Sequence, residues 1–114
     1  MPSNKLNRGP ALGLTTALIA SLAACAKSPD AIVPVSMGDA YASMSCANAQ
    51  DALYREQSTL ASLSAAQSNA VAGDAVGVLL IGVPVSSLSG SDKEGLIAAS
   101  KGKIIAMETR LRSC

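Results

Sequence analysis

Two stretches of the chain carry apolar residues at the spacing of amphipathic helices. In the first, they recur mostly at steps of three, four or seven along one stripe: Cys46, Ala49, Leu53, Leu60, Leu63, Ala66 and Ala70. In the second, steps of three and four alternate, which is a narrow a/d seam: Ile97, Ser100, Ile104, Met107, Leu111 and Cys114. The pattern predicts an all-α fold with helices over about 45–72 and 91–113.

Local signals set the expected ends of these helices. Gly73 predicts the end of the first helix, and the four residues 91–94, Ser-Asp-Lys-Glu, fit a capping box that starts the second. Gly102 lies inside the second helix, where it costs about 1 kcal/mol relative to alanine. The first helix also needs a solvent face, and its polar residues supply one: Gln50, Gln57, Ser58, Ser64 and Gln67.

An antiparallel arrangement of the two helices brings the seams together. In the register that pairs Leu53 with Met107 and Leu63 with Ile97, Cys46 lies opposite Cys114. The sequence therefore predicts a two-helix hairpin over 45–114, with two cysteines at its open end.

The predicted connector, residues 73–90, is the most hydrophobic part of the chain after residue 25. Its uncharged run 75–85 is too short to span a bilayer. Two interpretations remain open. The connector can pack back over the hairpin as a third layer, or it can form an exposed apolar surface for a partner or a membrane within 75–88. In the second case the contact residues are Val78, Leu79, Leu80, Ile81 and Val83.

The start of the chain has the pattern of an export signal. Lys5 and Arg8 precede an uncharged run, 9–24, that is shorter than the roughly 18 residues of a membrane-spanning helix. The run ends in Leu22-Ala23-Ala24-Cys25, which resembles the lipobox of bacterial lipoproteins. The resemblance implies that a signal peptidase recognises Leu22, Ala23 and Ala24 and removes residues 1–24, and that Cys25 is lipidated and becomes the mature N-terminus. The alternative is an uncleaved membrane anchor.

Residues 25–44 are expected to be a tether between the lipid and the hairpin. Pro29, Pro34 and Gly38 oppose a continuous helix, and 26–36 is expected to be extended and flexible. In lipoproteins of this type, an aspartate directly after the lipidated cysteine favours retention at the inner membrane. Residue 26 is alanine, so the resemblance implies a protein anchored to the outer membrane and facing the periplasm.

Composition argues against an enzyme and against a nucleic-acid partner. The chain has nine basic and eight acidic residues, and removal of Lys5 and Arg8 with the signal leaves seven against eight. This balance gives no basic surface for nucleic acid. There is no His, Trp or Phe, which excludes nucleophiles activated by histidine and makes a metal site less expected. No phosphate-binding glycine motif is present, and we expect no catalytic residue, metal or cofactor.

Cys46 and Cys114 are expected to form a structural disulfide, because an exported chain meets an oxidising compartment. A bridge that closes nearly the whole hairpin contributes about 4 kcal/mol by restricting the unfolded chain. A small two-helix fold needs such a cross-link. Two other roles remain open: an intermolecular bridge through Cys114, and a redox or metal role.

Several segments together resemble a group of short alphaproteobacterial lipoproteins: Met44-Ser45-Cys46, residues 82–88, Gly90-x-Asp92-Lys93-Glu94 and Cys114. The resemblance implies an envelope location, and it brings no assigned activity with it. In outline the chain is also similar to the major outer-membrane lipoprotein that tethers peptidoglycan, but it ends in Cys114 where that protein has its linking lysine.

The sequence therefore favours a non-enzymatic, lipid-anchored envelope lipoprotein that is a scaffold or accessory subunit of a membrane-associated complex. Its contact with a protein partner would use the 75–88 stretch, and it can form oligomers. The alternative is a small membrane-active or stress-related lipoprotein of the entericidin kind.

Overall fold

The computed structural model describes residues 25–83, 86 and 89–114. Two helices, α1 (Cys46–Ile81) and α2 (Glu94–Leu111), pack against each other, and a 3₁₀ turn (Pro29–Ala31) precedes them. The chain is an all-α, two-helix hairpin, which confirms the fold predicted from the apolar stripes.

Three pairs of residues establish the antiparallel register. Cys46 and Cys114 form a disulfide with their Cα atoms 6.0 Å apart. Lys103 Nζ lies 3.9 Å from Glu56 Oε2, and the backbone N–H of Lys93 donates to Gln67 Oε1 at 2.6 Å. These pairs follow the register expected from the two seams, and the predicted cysteine pairing is confirmed.

The first helix is longer than predicted. It continues through Gly73, which is exposed with open space around its Cα, and ends at Ile81. The helix stops at Gly82, whose φ of 75° is left-handed and whose N–H donates to the carbonyls of Gly77 and Val78. Gly73 weakens a helix by about 1 kcal/mol, and the buried positions that follow it outweigh this cost. The first half of the predicted connector is therefore helical.

The second helix begins at Glu94, three residues later than predicted, and the Ser91–Glu94 capping box does not form. Asp92 takes the capping role, because its Oδ1 accepts the N–H of Glu94 at 3.0 Å. Gln67 of α1 accepts the next free donor, the N–H of Lys93. The assignment of Gln67 to the solvent face was wrong, since its side chain is fully buried.

The apolar core lies between the two helices. Its buried members are Ala49, Leu53 and Ala70 of α1 together with Ile97, Ala106 and Met107 of α2. Leu60 and Leu63 are half-buried along the same stripe. A core of this size is small, which is consistent with the need for a cross-link at the open end.

Residues 26–35, which we call the strap, lie against α2 instead of forming a flexible tether. The N–H of Val35 donates to the Ala98 carbonyl at 2.9 Å, and Lys101 Nζ donates to the carbonyls of Pro29 and Ile32 at 2.6 and 2.8 Å. The Ile32 side chain is buried. The prolines exclude a helix here, as expected, but they do not prevent an extended segment from covering a helix face.

The strap approaches α2 closely at Gly102. A Cβ on this residue would collide with the Val35 carbonyl oxygen, which is a backbone atom and cannot rotate away. Glycine at this position costs helix stability, and the structure supplies the reason for it. The strap then leads through a turn to Met44, whose carbonyl accepts from Arg110 Nε at 2.7 Å.

Candidate functional site

Of the residues predicted from the sequence, Cys25 and the five contact residues of the connector lie toward one end of the molecule, where α1 ends and the strap begins. We call this the anchor end, because Cys25 lies there. The opposite end carries the disulfide. Along α1 the two ends are separated by 28 residues between Cys46 and Asp74, or about 42 Å at 1.5 Å per residue.

Asp74 binds the strap and the connector at the anchor end. Its Oδ2 accepts the backbone N–H of Ala26 at 2.7 Å and the hydroxyl of Ser86 at 2.6 Å. Its Oδ1 accepts the N–H of Ser86 at 2.6 Å. The side chain is almost completely buried, with 2 % exposed. A buried carboxylate needs hydrogen-bond donors in place of water, and these three groups supply them. Asp74 therefore fixes the first residue after Cys25 to the last turns of α1.

The carboxyl of Asp74 is expected to remain ionised. Burial raises its pKa, but the N–H of Ala26 and the hydroxyl and N–H of Ser86 together lower it further, and the net pKa lies below the ordinary value of 3.8. An ionised carboxylate accepts all three donors, whereas a protonated one would have to donate at one oxygen. The ionised carboxylate of Asp74 is therefore the form that joins α1, the strap and the connector.

Gln67 makes a second connection one heptad earlier on α1. Its Nε2 donates to the Lys27 carbonyl at 2.8 Å and to Asp92 Oδ1 at 3.0 Å, while its Oε1 accepts from Lys93 N–H. A side chain that satisfies three backbone or carboxylate partners in a buried place is well suited to fix their geometry. Gln67 and Asp74 thus bind successive residues of the strap.

An ion pair lies at the surface beside these buried contacts. Lys27 Nζ is 2.6 Å from Glu94 Oε1. The hydrogen bond to Glu94 and its negative charge raise the pKa of Lys27. Both side chains are partly solvent-accessible, so this pair contributes little to stability, but it places charged groups at the border of the anchor end.

Beyond Asp74 the last turns of α1 form an exposed apolar surface, which we call the apolar tip. Leu79, Leu80 and Ile81 are 84 %, 77 % and 66 % exposed. Three valines are exposed to a lesser degree: Val76, Val78 and Val83. Of the two interpretations of the connector, packing back over the hairpin is therefore wrong for these residues. The exposed alternative describes all five predicted contact residues.

The remaining predicted site residues have different positions. Cys25 is half-exposed and directly precedes the amide bound by Asp74. Leu22, Ala23 and Ala24 lie outside the described residues, as do positions 84, 85, 87 and 88 of the predicted contact stretch. Cys46 and Cys114 are exposed at the far end, so the disulfide is remote from the anchor end.

Sequence reasoning missed Gln67, Asp74 and Ser86. A signal for the first two was present, because the alternation of three and four continues from Leu63 through buried positions that include both: Gln67, Ala70, Asp74 and Gly77. Assigning a helix end at Gly73 interrupted the pattern one residue before Asp74. Ser86 had no sequence signal.

Two further features of the described residues concern metal ligands and membrane spans. Within the described part of the chain, no cluster of three or more His, Cys, Asp or Glu residues could hold a metal ion. In the same residues, neither helix has the length and apolar character needed to cross a membrane. The anchor end places Cys25, held through the amide of Ala26, next to an exposed apolar surface.

Comparison with known proteins gives no relative: no family model, no curated protein and no solved structure matches this chain.

Proposed function

We propose that this protein is a non-enzymatic lipoprotein of the cell envelope, anchored through a lipid on Cys25 and facing the periplasm from the outer membrane. In this role it is a scaffold or accessory subunit of a membrane-associated complex. The apolar tip is the surface through which the protein makes its contact in this complex, at the level of the membrane.

One observation carries the proposal: the proposed lipid attachment point and the apolar tip lie at the same end of the molecule. Asp74 binds the amide of Ala26, directly after Cys25, and the tip begins two residues after Asp74. A flexible tether would have separated the two by many ångströms. The pairing of an anchor with an exposed apolar surface is typical of proteins that act at membranes.

The anchor is tested by the intact mass of the protein extracted from membranes, measured with and without reductant. We expect the mass of residues 25–114 plus the lipid, increasing by two hydrogens on reduction. An unmodified chain with residues 1–24 retained would contradict the lipid anchor. A Cys25→Ser variant, which lacks the acceptor thiol, is the control and should keep its leader.

The accessory role is tested by crosslinking in cells followed by purification. The double variant Leu79→Asp/Ile81→Asp should lose the captured complex while its helix content stays unchanged, because both side chains are exposed. Val33→Asp, which changes an equally exposed apolar residue on the strap, is the matched control and should retain the complex. Equal capture by all three proteins would contradict a contact at the tip.

A membrane-active protein of the entericidin kind is the second candidate, favoured by the exposure of the apolar tip. Dye release from liposomes separates the two proposals. The mature protein should release dye if it perturbs bilayers, and Leu79→Asp/Ile81→Asp should not. Intact liposomes at high protein excess would exclude this candidate.

A further inference from the structure

We infer that the apolar tip lies within the lipid leaflet beside the anchor, so that the hairpin stands on the membrane with its disulfide end pointing away. The inference rests on the proposed lipid anchor and deepens it by naming lipid acyl chains as what covers the tip. Insertion of the tip would then hold the hairpin at the membrane surface where the complex forms, and Leu79→Asp/Ile81→Asp would lose the complex because it loses insertion.

The apolar tip extends beyond the proposed lipid attachment point. Ala26 is bound at Asp74, and α1 continues for seven more residues to Ile81. At 1.5 Å per residue the helix extends about 10 Å beyond the bound amide. Cys25, which would carry the lipid, is the neighbour of that amide. A helix end that passes the base of the lipid by this distance reaches the depth at which apolar faces of interfacial helices are buried.

The last turn of α1 exposes apolar residues on every side of the helix. Four consecutive residues, 78–81, point in four directions around α1, and all are exposed. A groove on a protein partner would contact one face of a helix, at positions spaced by three and four. A helical turn that is apolar on every side fits an environment that surrounds it, and a lipid leaflet does so.

The segment that contains the apolar tip carries no charged side chain. No charged residue occurs between Asp74 and Asp92, and Asp74 is buried with its donors. Lys27 and Glu94 form an ion pair at the surface beside the first residues of the strap. This pair would lie at the headgroup level, with only uncharged residues below it.

The absence of Trp from the chain allows a direct test with one introduced fluorophore. The variant Leu80→Trp is purified from membranes in its processed form and reconstituted into phosphatidylcholine/phosphatidylglycerol liposomes, with and without brominated acyl chains. The matched control is Tyr54→Trp, an exposed position on α1 that is 26 residues away, or about 39 Å along the helix. Flotation of the liposomes first establishes that each protein is bound.

The expected result is a blue-shifted Leu80→Trp emission that loses most of its intensity in brominated liposomes, while the Tyr54→Trp emission is unaffected. Floating protein whose Leu80→Trp emission is neither shifted nor quenched would overturn the inference and leave the lipid anchor intact. Quenching in a chain whose mass shows a retained N-terminus would support insertion and contradict the lipid anchor. Protein that does not float at all would contradict both.

Discussion

The two halves of α1 bury their inward-facing residues in different ways. Near the disulfide, the seam is apolar and packs against the side chains of α2, as at Leu53 and Met107. Near the anchor end, the buried positions include Gln67 and Asp74, which bind backbone groups of non-helical segments. The difference arises because α2 is shorter than α1. It begins only at Glu94 and leaves the strap and the connector to pack against the last turns of α1.

The residue type at each inward-facing position of α1 therefore depends on whether a helix or a non-helical segment packs against it. A helix presents side chains to its neighbour, its own backbone being satisfied internally, and apolar residues suit that surface. The strap and the connector present unpaired N–H and C=O groups, and buried polar side chains are needed to satisfy them. The following predictions test this division.

The largest effect is expected at the disulfide. The double variant Cys46→Ser/Cys114→Ser removes a cross-link between residues 68 apart, and we expect the free energy of unfolding to fall by about 4 kcal/mol. Denaturant unfolding of the purified protein measures it, and the wild-type protein in reductant should show the same loss. An unchanged midpoint would mean that the apolar half is stable without its bridge.

The next effect is expected at Asp74. In Asp74→Asn, the amide nitrogen must face donors that the carboxylate accepted, and we expect a loss of about 2–3 kcal/mol. Hydrogen exchange of the Ala26 and Val35 amides should accelerate, because the strap is released. Asp51→Asn is the matched control: it removes an exposed pair with Arg55 and should cost less than about 0.5 kcal/mol.

Acid should reproduce the effect of Asp74→Asn. The pKa of Asp74 in the folded chain lies below the ordinary 3.8, so its stabilisation is present above that pH and is lost as the pH falls through the folded value. Below pH 3.8 the wild-type stability should approach that of Asp74→Asn. Parallel pH profiles for the two proteins would show that the carboxylate is not what joins the anchor end.

A smaller loss is expected at Gly102, where the strap crosses α2. In Gly102→Ala, the methyl group displaces the Val35 carbonyl, and we expect a net destabilisation of about 1–2 kcal/mol despite the better helix propensity. Gly73→Ala is the matched control on α1, with open space around it. It should stabilise by up to about 1 kcal/mol, and the same gain at both positions would contradict a packed strap.

The smallest effect is expected at Ser100, a polar residue buried in the apolar half. Its Oγ has no hydrogen-bond partner among the described residues, unlike the polar atoms of Gln67. Ser100→Ala should therefore raise the free energy of unfolding by about 1 kcal/mol, measured by denaturant titration. Gln67→Leu should do the opposite, since it leaves the Lys93 N–H unsatisfied. Destabilisation by Ser100→Ala would break the proposed division.

The hairpin, its register and the disulfide could be predicted because each leaves a periodic signal. The seams and the two cysteines agree on one alignment, and Cys46 and Cys114 are bonded in the structure. The exposure of Leu79 and Leu80 could be stated only as one of two alternatives, since the same apolar residues would suit a packed third layer.

The strap and its partners could not be predicted because their signal is not periodic. Pro29 and Pro34 exclude a helix but do not indicate what an extended segment contacts. The contacts use backbone groups, such as the Val35 N–H and the Ala98 carbonyl, which every sequence possesses. Gln67 is polar in either environment, so its type alone does not distinguish a solvent face from a buried network.

The strap also constrains the order in which the fold can be completed. It is synthesised before both helices, but its partners Ala98 and Lys101 come near the end of the sequence, and the Lys101 contact with Pro29 spans 72 positions. Contacts at such separations require the closure of a long loop and form slowly. We expect the strap to dock last, so one face of α2 stays uncovered until the two helices have formed and packed.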